Sequence, residues 1–221
     1  MSDRVTRLIA VRHGETAWNR DSRIQGHTDI PLNDRGLWQA RQVGQAMAGE
    51  GVHAIYSSDL LRALDTARAI GHAAGLAVHP ERELRERHFG QLEGLTRDEI
   101  ASRWPHDATR WNQRDPAYGP PGGETLQGFY DRCVGAMLRL AQHHLGQTVV
   151  LVAHGGVLDC FYRAANGVDL STPRSWTIGN ATINRLLFSP EGLTMVGWAD
   201  DQHLTENPGL DESSDGLTAT A

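Results

Sequence analysis

Ile9-Ala10-Val11-Arg12-His13-Gly14 and Leu151-Val152-Ala153-His154-Gly155-Gly156 are two apolar runs that each end in His-Gly. Each suits a parallel strand buried on both faces, because apolar residues follow one another without alternation. In an open parallel sheet, ligands bind beyond the carboxyl ends of the strands. Two imidazoles leaving central strands at that edge converge on one pocket. The glycine after each histidine permits a sharp turn and lets main-chain N–H groups approach a ligand closely. Gly155-Gly156 also opens a helix, whose N-terminus favours anions. With Arg12 beside His13, the pattern suits phosphate better than a divalent metal.

Further strand signals are Ala54-Ile55-Tyr56, Ile183 to Phe188 and Leu193 to Trp198. Helical spacing lies between them. Asn33 caps a run with Leu37, Ala40, Val43 and Met47 on one face. A second helix is expected from near Ser58 to Ala74 with Gly75 as its stop, a third over Thr125 to Leu145, and a fourth after Gly155-Gly156. Strands alternating with helices predict an α/β fold: a three-layer α/β/α sandwich with a largely parallel central sheet. The segment from Pro105 to Gly123 is rich in proline and glycine and is expected to be a long connection, a lid. Trp104, Trp111 and Tyr118 belong to that lid or to the core.

Composition narrows the function classes. All 21 basic residues of the 221 are arginine, which excludes a Walker lysine, a pyridoxal Schiff base and a lysine general base. The net charge of −6 sits at the end: residues 200–221 carry six acids and no arginine, and the rest is balanced. The expectation is one domain over residues 1–207 and an acidic disordered tail over 208–221. A neutral body argues against nucleic-acid partners, and no apolar run approaches the ~20 residues of a membrane span. Two cysteines, Cys133 and Cys160, and no secretory hydrophobic segment point to a cytoplasmic protein. No HExxH, CxxC, GxSxG or GxGxxG occurs, so no metal, serine-hydrolase or dinucleotide site is expected.

Arg12-His13-Gly14-Glu15-Thr16, followed by Trp18-Asn19, resembles the signature of the histidine phosphatase superfamily, the phosphoglycerate mutase-like proteins. Five further blocks follow in family order: Arg23-Ile24-Gln25-Gly26 with Asp29, Pro31 and Leu32; Ser57-Ser58-Asp59-Leu60 with Arg62, Ala63, Thr66 and Ala67; Leu84 to Gly94; Gly122 to Thr125; and Val152 to Gly156. The resemblance implies a phosphoglycerate mutase-like fold and residue roles. His13 would take the phosphoryl group; Arg12, Arg62 and His154 would hold its oxygens. Glu86 would protonate the leaving oxygen and then activate water, with Glu83 and Glu93 open as alternatives. Asn19, Gln25, Gly26 and Gly155 would line the substrate pocket. It implies no metal or other cofactor and a small phosphomonoester as partner, and leaves a homodimer open by analogy. Arg12 and Arg62 would disfavour a second positive charge and keep the attacking imidazole neutral.

Family membership leaves the reaction undecided. Dedicated mutases resemble larger proteins whose insertion after the acid block carries extra cations, and they read Thr-Gly where this chain has Gln25-Gly26. The segment after the acid block here has no Arg-Arg pair. These features favour a phosphomonoester hydrolase. The intact Glu86-Arg87-His88-Phe89-Gly90 keeps phosphoglycerate mutase as the alternative, and a catalytically silent binding protein is the second.

Overall fold

The computed structural model describes residues 5–205; the tail expected over 208–221 lies outside them. Six strands form one sheet: β1 (Thr6–Arg12), β2 (Ala54–Ser57), β3 (Val78–Pro80), β4 (Thr148–Ala153), β5 (Ile183–Ser189) and β6 (Gly192–Asp200), in the order β3-β2-β4-β1-β5-β6. The first four strands are mutually parallel; β5 pairs antiparallel with β1, and β6 antiparallel with β5. The helices are α1 (Ala17–Arg20), α2 (Asp34–Met47), α3 (Leu61–Ala74), α4 (Arg97–Arg103), α5 (Pro105–Asn112), α6 (Leu126–His143) and α7 (Gly155–Asn166).

The layers follow from strand alternation. Leu8 and Ala10 of β1 face a core with Phe129, Met137, Leu158 and Phe161 from α6 and α7. Ile9 and Val11 face the opposite side, against Val43 and Met47 of α2 and Ala63, Ala67 and Ile70 of α3. Because both faces are covered, β4 is buried at every position and reads as one continuous apolar run. The expected three-layer sandwich is the observed one. Among the described residues no helix is long and apolar enough to cross a membrane.

Local chemistry sets most boundaries as expected. Asn33 Oδ1 accepts the Gly36 N–H at 2.8 Å, and Thr125 Oγ1 accepts that of Gly128 at 3.0 Å. Gly75 closes α3 in the left-handed region, with φ of 67°. Two expectations need correction. The second helix begins at Leu61, not Ser58. The Ser58 side chain is committed to His154, and Asp29 Oδ1 takes the Leu61 N–H instead, at 2.8 Å. The segment expected as a loop from Pro105 starts with α5, where Pro105 occupies the first turn and its missing N–H does no harm. Only residues beyond Asn112 form the expected connection.

The α2–α3 contact is close enough to test. A Cβ on Gly44 would stand 2.7 Å from the Ala69 carbonyl oxygen. Helix propensity alone favours alanine over glycine by about 1 kcal/mol, whereas overpacking costs about 1–3 kcal/mol. Gly44→Ala is therefore expected to lower the urea midpoint at unchanged m-value. A midpoint at or above that of the parent would show that the helices can separate at no cost.

Candidate active site

Strand register brings the histidines together. Arg12 pairs with Ala153 across β1 and β4, and Ser57 with Val152 across β2 and β4. His13, His154 and Ser58 therefore leave the sheet side by side. The His13 N–H donates to Ala153 O at 3.0 Å. Both imidazoles are buried, with ring centroids 5.2 Å apart. His13 Nδ1 lies 2.6 Å from Gly14 O. A carbonyl only accepts, so Nδ1 carries the hydrogen and Nε2 carries the lone pair. The His13 carbonyl is pinned by Asn180 Nδ2 at 3.0 Å and by the Ala181 N–H at 3.2 Å.

Two guanidiniums enclose this pair. Arg62, in the first turn of α3, is fully buried and donates to Thr28 O at 3.0 Å and Gly26 O at 2.8 Å. Asp65, the neighbour that could have drawn it to the surface, pairs with Arg68 instead. Arg12 Nη1 donates to Ile178 O at 2.6 Å. In this site three buried nitrogens have no partner among the described residues: Arg12 Nε, Arg62 Nε and His154 Nδ1. A buried donor with no acceptor costs about 1–3 kcal/mol, so three together are what an anion site requires. Burial pushes Arg12 and Arg62 down to about 10, which leaves both charged at neutral pH. Burial first, then Arg62 and Arg12, holds His13 well below the usual histidine range. His154 is lowered too, by burial and then by Arg62, His13 and Arg12.

Asn19, Gln25 and Gly26 line one cavity with Arg12, His13, Arg62 and Glu86. Thr16 organises this wall: its hydroxyl lies 3.0 Å from both Asn19 Oδ1 and Gln25 Oε1. Gly26, at φ of 53°, sits in the left-handed region, and a Cβ there would overlap the Glu93 carboxylate. Gly155 packs on the other side, where its Cβ would stand 3.5 Å from Arg12 Nε.

Glu86 is held from several directions. One oxygen accepts the Arg87 N–H and the other the Gly156 N–H, both at 2.9 Å. Arg132 grips Glu124 through two bonds of 2.8 Å and donates to the carbonyls of Glu83, Arg85 and Glu86. His27, stacked on His88, lies with Nε2 2.8 Å from Glu86 O. The two alternatives to Glu86 are engaged elsewhere. Glu93 accepts the N–H groups of His27, Thr28 and Phe89 and the Thr28 hydroxyl; Glu83 pairs with Arg139.

A second cavity of about 260 Å³ adjoins the first and shares Arg12, Glu86, Phe89 and Arg97 with it. Trp111, Tyr118 and Arg174 line it, whereas Trp104 packs with Leu92, Ile100 and Ala108. Arg97 stacks on Trp111 at 5.2 Å. Spacing does not single out Arg97, Arg174, Arg132 or His27; Thr66, from the same block as Arg62, accepts the Gly14 N–H on its hydroxyl at 3.0 Å. Ser58 belongs to the block that holds Arg62, but nothing local ties it, or Asn180, to a histidine. Among the described residues no group of three or more His, Cys, Asp or Glu side chains is arranged to hold a metal.

Comparison with known proteins gives a consistent result. The family profile described as histidine phosphatase superfamily (branch 1) matches residues 8–201. Phosphoglycerate mutase-like protein 4 of Arabidopsis thaliana is 40% identical over 204 residues, covering 90% of this chain and 87% of that protein. The metal-independent phosphoserine phosphatase of the same plant is 36% identical, over 96% of this chain and 89% of its own. The solved structure of Bacillus stearothermophilus YhfR is similar at a TM-score of 0.85 and 30% identity, over 90% of this chain and 100% of that one.

Two measurements follow. A Cβ on Gly156 would stand 2.2 Å from Glu86 Oε1. Gly156→Ala is expected to displace that carboxyl and to lower turnover of a phosphomonoester roughly 10²-fold, the low end for a general acid, with little change in melting. Full activity would mean that the carboxyl position is immaterial. The second concerns pH. Unfolded, His13 takes a proton near pH 6.5; folded, it does so only well below. Over that window the unfolded chain binds more protons, so stability falls as pH drops, by up to about 1.4 kcal/mol per pH unit for this group. Melts between pH 7.5 and 5 should decline less steeply for His13→Gln than for the parent. Equal slopes would contradict a buried neutral ring.

Proposed function

The chain belongs to the histidine phosphatase superfamily, and on that footing we propose that it is a metal-independent phosphomonoesterase that works through a phosphohistidine at His13. The observation that carries this is three buried nitrogens with no partner among the described residues, Arg12 Nε, Arg62 Nε and His154 Nδ1, together with a His13 imidazole whose Nε2 holds its lone pair. A phosphoryl group supplies the missing acceptors. Nε2 attacks phosphorus as the bond to the leaving oxygen breaks, and Glu86 gives that oxygen its proton. Water then attacks the phosphohistidine, Glu86 takes the proton back, and phosphate leaves with His13 restored. Charge on the transferred group is spread over its equatorial oxygens, so the fixed donors act as an electrostatic clamp. The N-terminus of α7 adds its dipole at Gly155 and Gly156.

The leaving group occupies the adjoining cavity. Arg97 and Arg174 line it, and among the described residues neither has an ion-pair partner. Phe89, Trp111 and Tyr118 supply an apolar wall. A small phosphorylated carboxylic acid fits this pairing of cations and aromatic surface. Phosphoserine, named for the Arabidopsis phosphatase, and phosphoglycerate both meet that description. Mutase activity stays as the second possibility, because the same cations suit phosphoglycerate. Hydrolysis is favoured because Arg114, a further cation lining this cavity, is taken up by Asp159 at 2.7 Å and Leu170 O at 2.7 Å.

Incubation with phosphoserine and with 2- and 3-phosphoglycerate tests this. The expected outcome is release of inorganic phosphate with little interconversion of the two phosphoglycerates; interconversion without release would establish the mutase, and neither would leave a binding protein. The acid has its own signature. Glu86→Gln is expected to lose roughly 10²–10⁴-fold with an alkyl phosphate, whose oxygen must be protonated, and far less with p-nitrophenyl phosphate. An equal loss with both would assign Glu86 another task.

A further inference from the structure

His154 is a fully buried imidazole with one ring nitrogen engaged and the other free. Its Nε2 lies 2.8 Å from Ser58 Oγ, and its Nδ1 has no partner among the described residues. Ser58 is itself fully buried, immediately after β2. Its own N–H donates to Val152 O at 3.0 Å, which fixes the backbone. Its oxygen accepts the Leu60 N–H at 3.3 Å.

A hydroxyl owns one hydrogen. Among the described residues, His154 Nε2 is the only acceptor within reach of the Ser58 hydroxyl. If Nε2 carried its own hydrogen, the serine proton would be buried with nothing to bind, and two hydrogens would compete for one short contact. The arrangement with every hydrogen placed has the Ser58 O–H donating to a bare Nε2. The ring hydrogen then sits on Nδ1.

We propose that Ser58 is a positioning residue, which holds His154 in the tautomer whose Nδ1–H donates to the phosphoryl group. The distinction matters because phosphoryl oxygens only accept. A neutral imidazole in the other tautomer would turn a lone pair toward the anion. Burial and the two neighbouring guanidiniums keep the ring neutral, so charging it is not an alternative way to obtain a donor. The Ser58 hydroxyl supplies the donor without adding a third cation to a site that already holds Arg12 and Arg62. This also accounts for the late start of α3: the side chain that could have capped the helix is spent on the site. The catalytic consequence rests on the phosphoryl transfer proposed above, but the tautomer itself does not.

The test pairs 15N NMR of the histidine rings with turnover, on the parent chain, Ser58→Ala and Ser58→Thr. The parent is expected to show a protonated Nδ1 and a bare Nε2 at His154, recorded without substrate. Ser58→Ala should give mixed or reversed tautomers and a kcat lower by on the order of 10-fold, the rate equivalent of one misdirected hydrogen bond, at a nearly unchanged melting temperature. Ser58→Thr, which keeps the hydroxyl, should restore both. A parent ring protonated at Nε2 would overturn the proposal, as would a Ser58→Ala protein that loses activity with its tautomer intact. If Ser58→Ala does not fold, the parent spectrum alone still decides the tautomer. If the tautomer is as stated but no phosphomonoester is turned over, the proposed reaction fails instead.

Discussion

The parallel register of β1 against β4 is the constraint on which the rest depends. It places Arg12 opposite Ala153, so the next residue on each strand is a histidine, and both leave the sheet at one point. A slip of one residue would turn every side chain of a strand to the other face and would carry Ile9 and Val11 out of the core they share with α2 and α3. The register is therefore set by hydrophobic burial on two sides and used by a polar site at the end. The stable layers and the cleft depend on the same strand pairing.

That cleft runs against the rest of the fold. The Arg62 guanidinium and two imidazoles are buried together, with the buried Nε of half-exposed Arg12 on the same cavity, and among the described residues several of their nitrogens have no partner. Such a cluster is unfavourable in isolation, and native proteins keep such conflicts chiefly at functional sites. The supports are ordinary ones: carbonyls of Gly26 and Thr28 for Arg62, that of Ile178 for Arg12, and the Asn180-Ala181 turn for His13. The loop that bears Glu86 is held by a further arginine, Arg132, whose own charge is met by Glu124. Arg12 and Arg62 thus each have a backbone anchor on one side and a buried Nε with no partner among the described residues.

Much of the architecture was legible in the sequence because it follows local rules. The two continuous apolar runs fixed the central strands, Asn33 and Thr125 marked helix starts, and Gly75 marked an end. The errors have local causes as well. Ser58 has the chemistry of a helix cap, yet a histidine 96 positions away claims it. Pro105 looks like a loop residue and serves equally well in a first helical turn. The two strand-end histidines could be placed together because both follow paired strands. Arg97 and Arg174 could not, since they reach the second cavity from α4 and from the segment after α7. No periodicity links those segments; only the folded chain brings them to one wall. Likewise, Glu86, Glu83 and Glu93 sit in one charged run, and only their partners tell them apart.

The central claim is that the His13 ring carries phosphate during the reaction. Rapid quenching of the enzyme with 32P-labelled phosphoserine, followed by peptide mapping, tests it most directly. The account predicts an acid-labile, base-stable label on the peptide containing His13, formed within one turnover and discharged by a chase of unlabelled substrate. Label on a different side chain, or turnover that persists undiminished in His13→Ala, would contradict it.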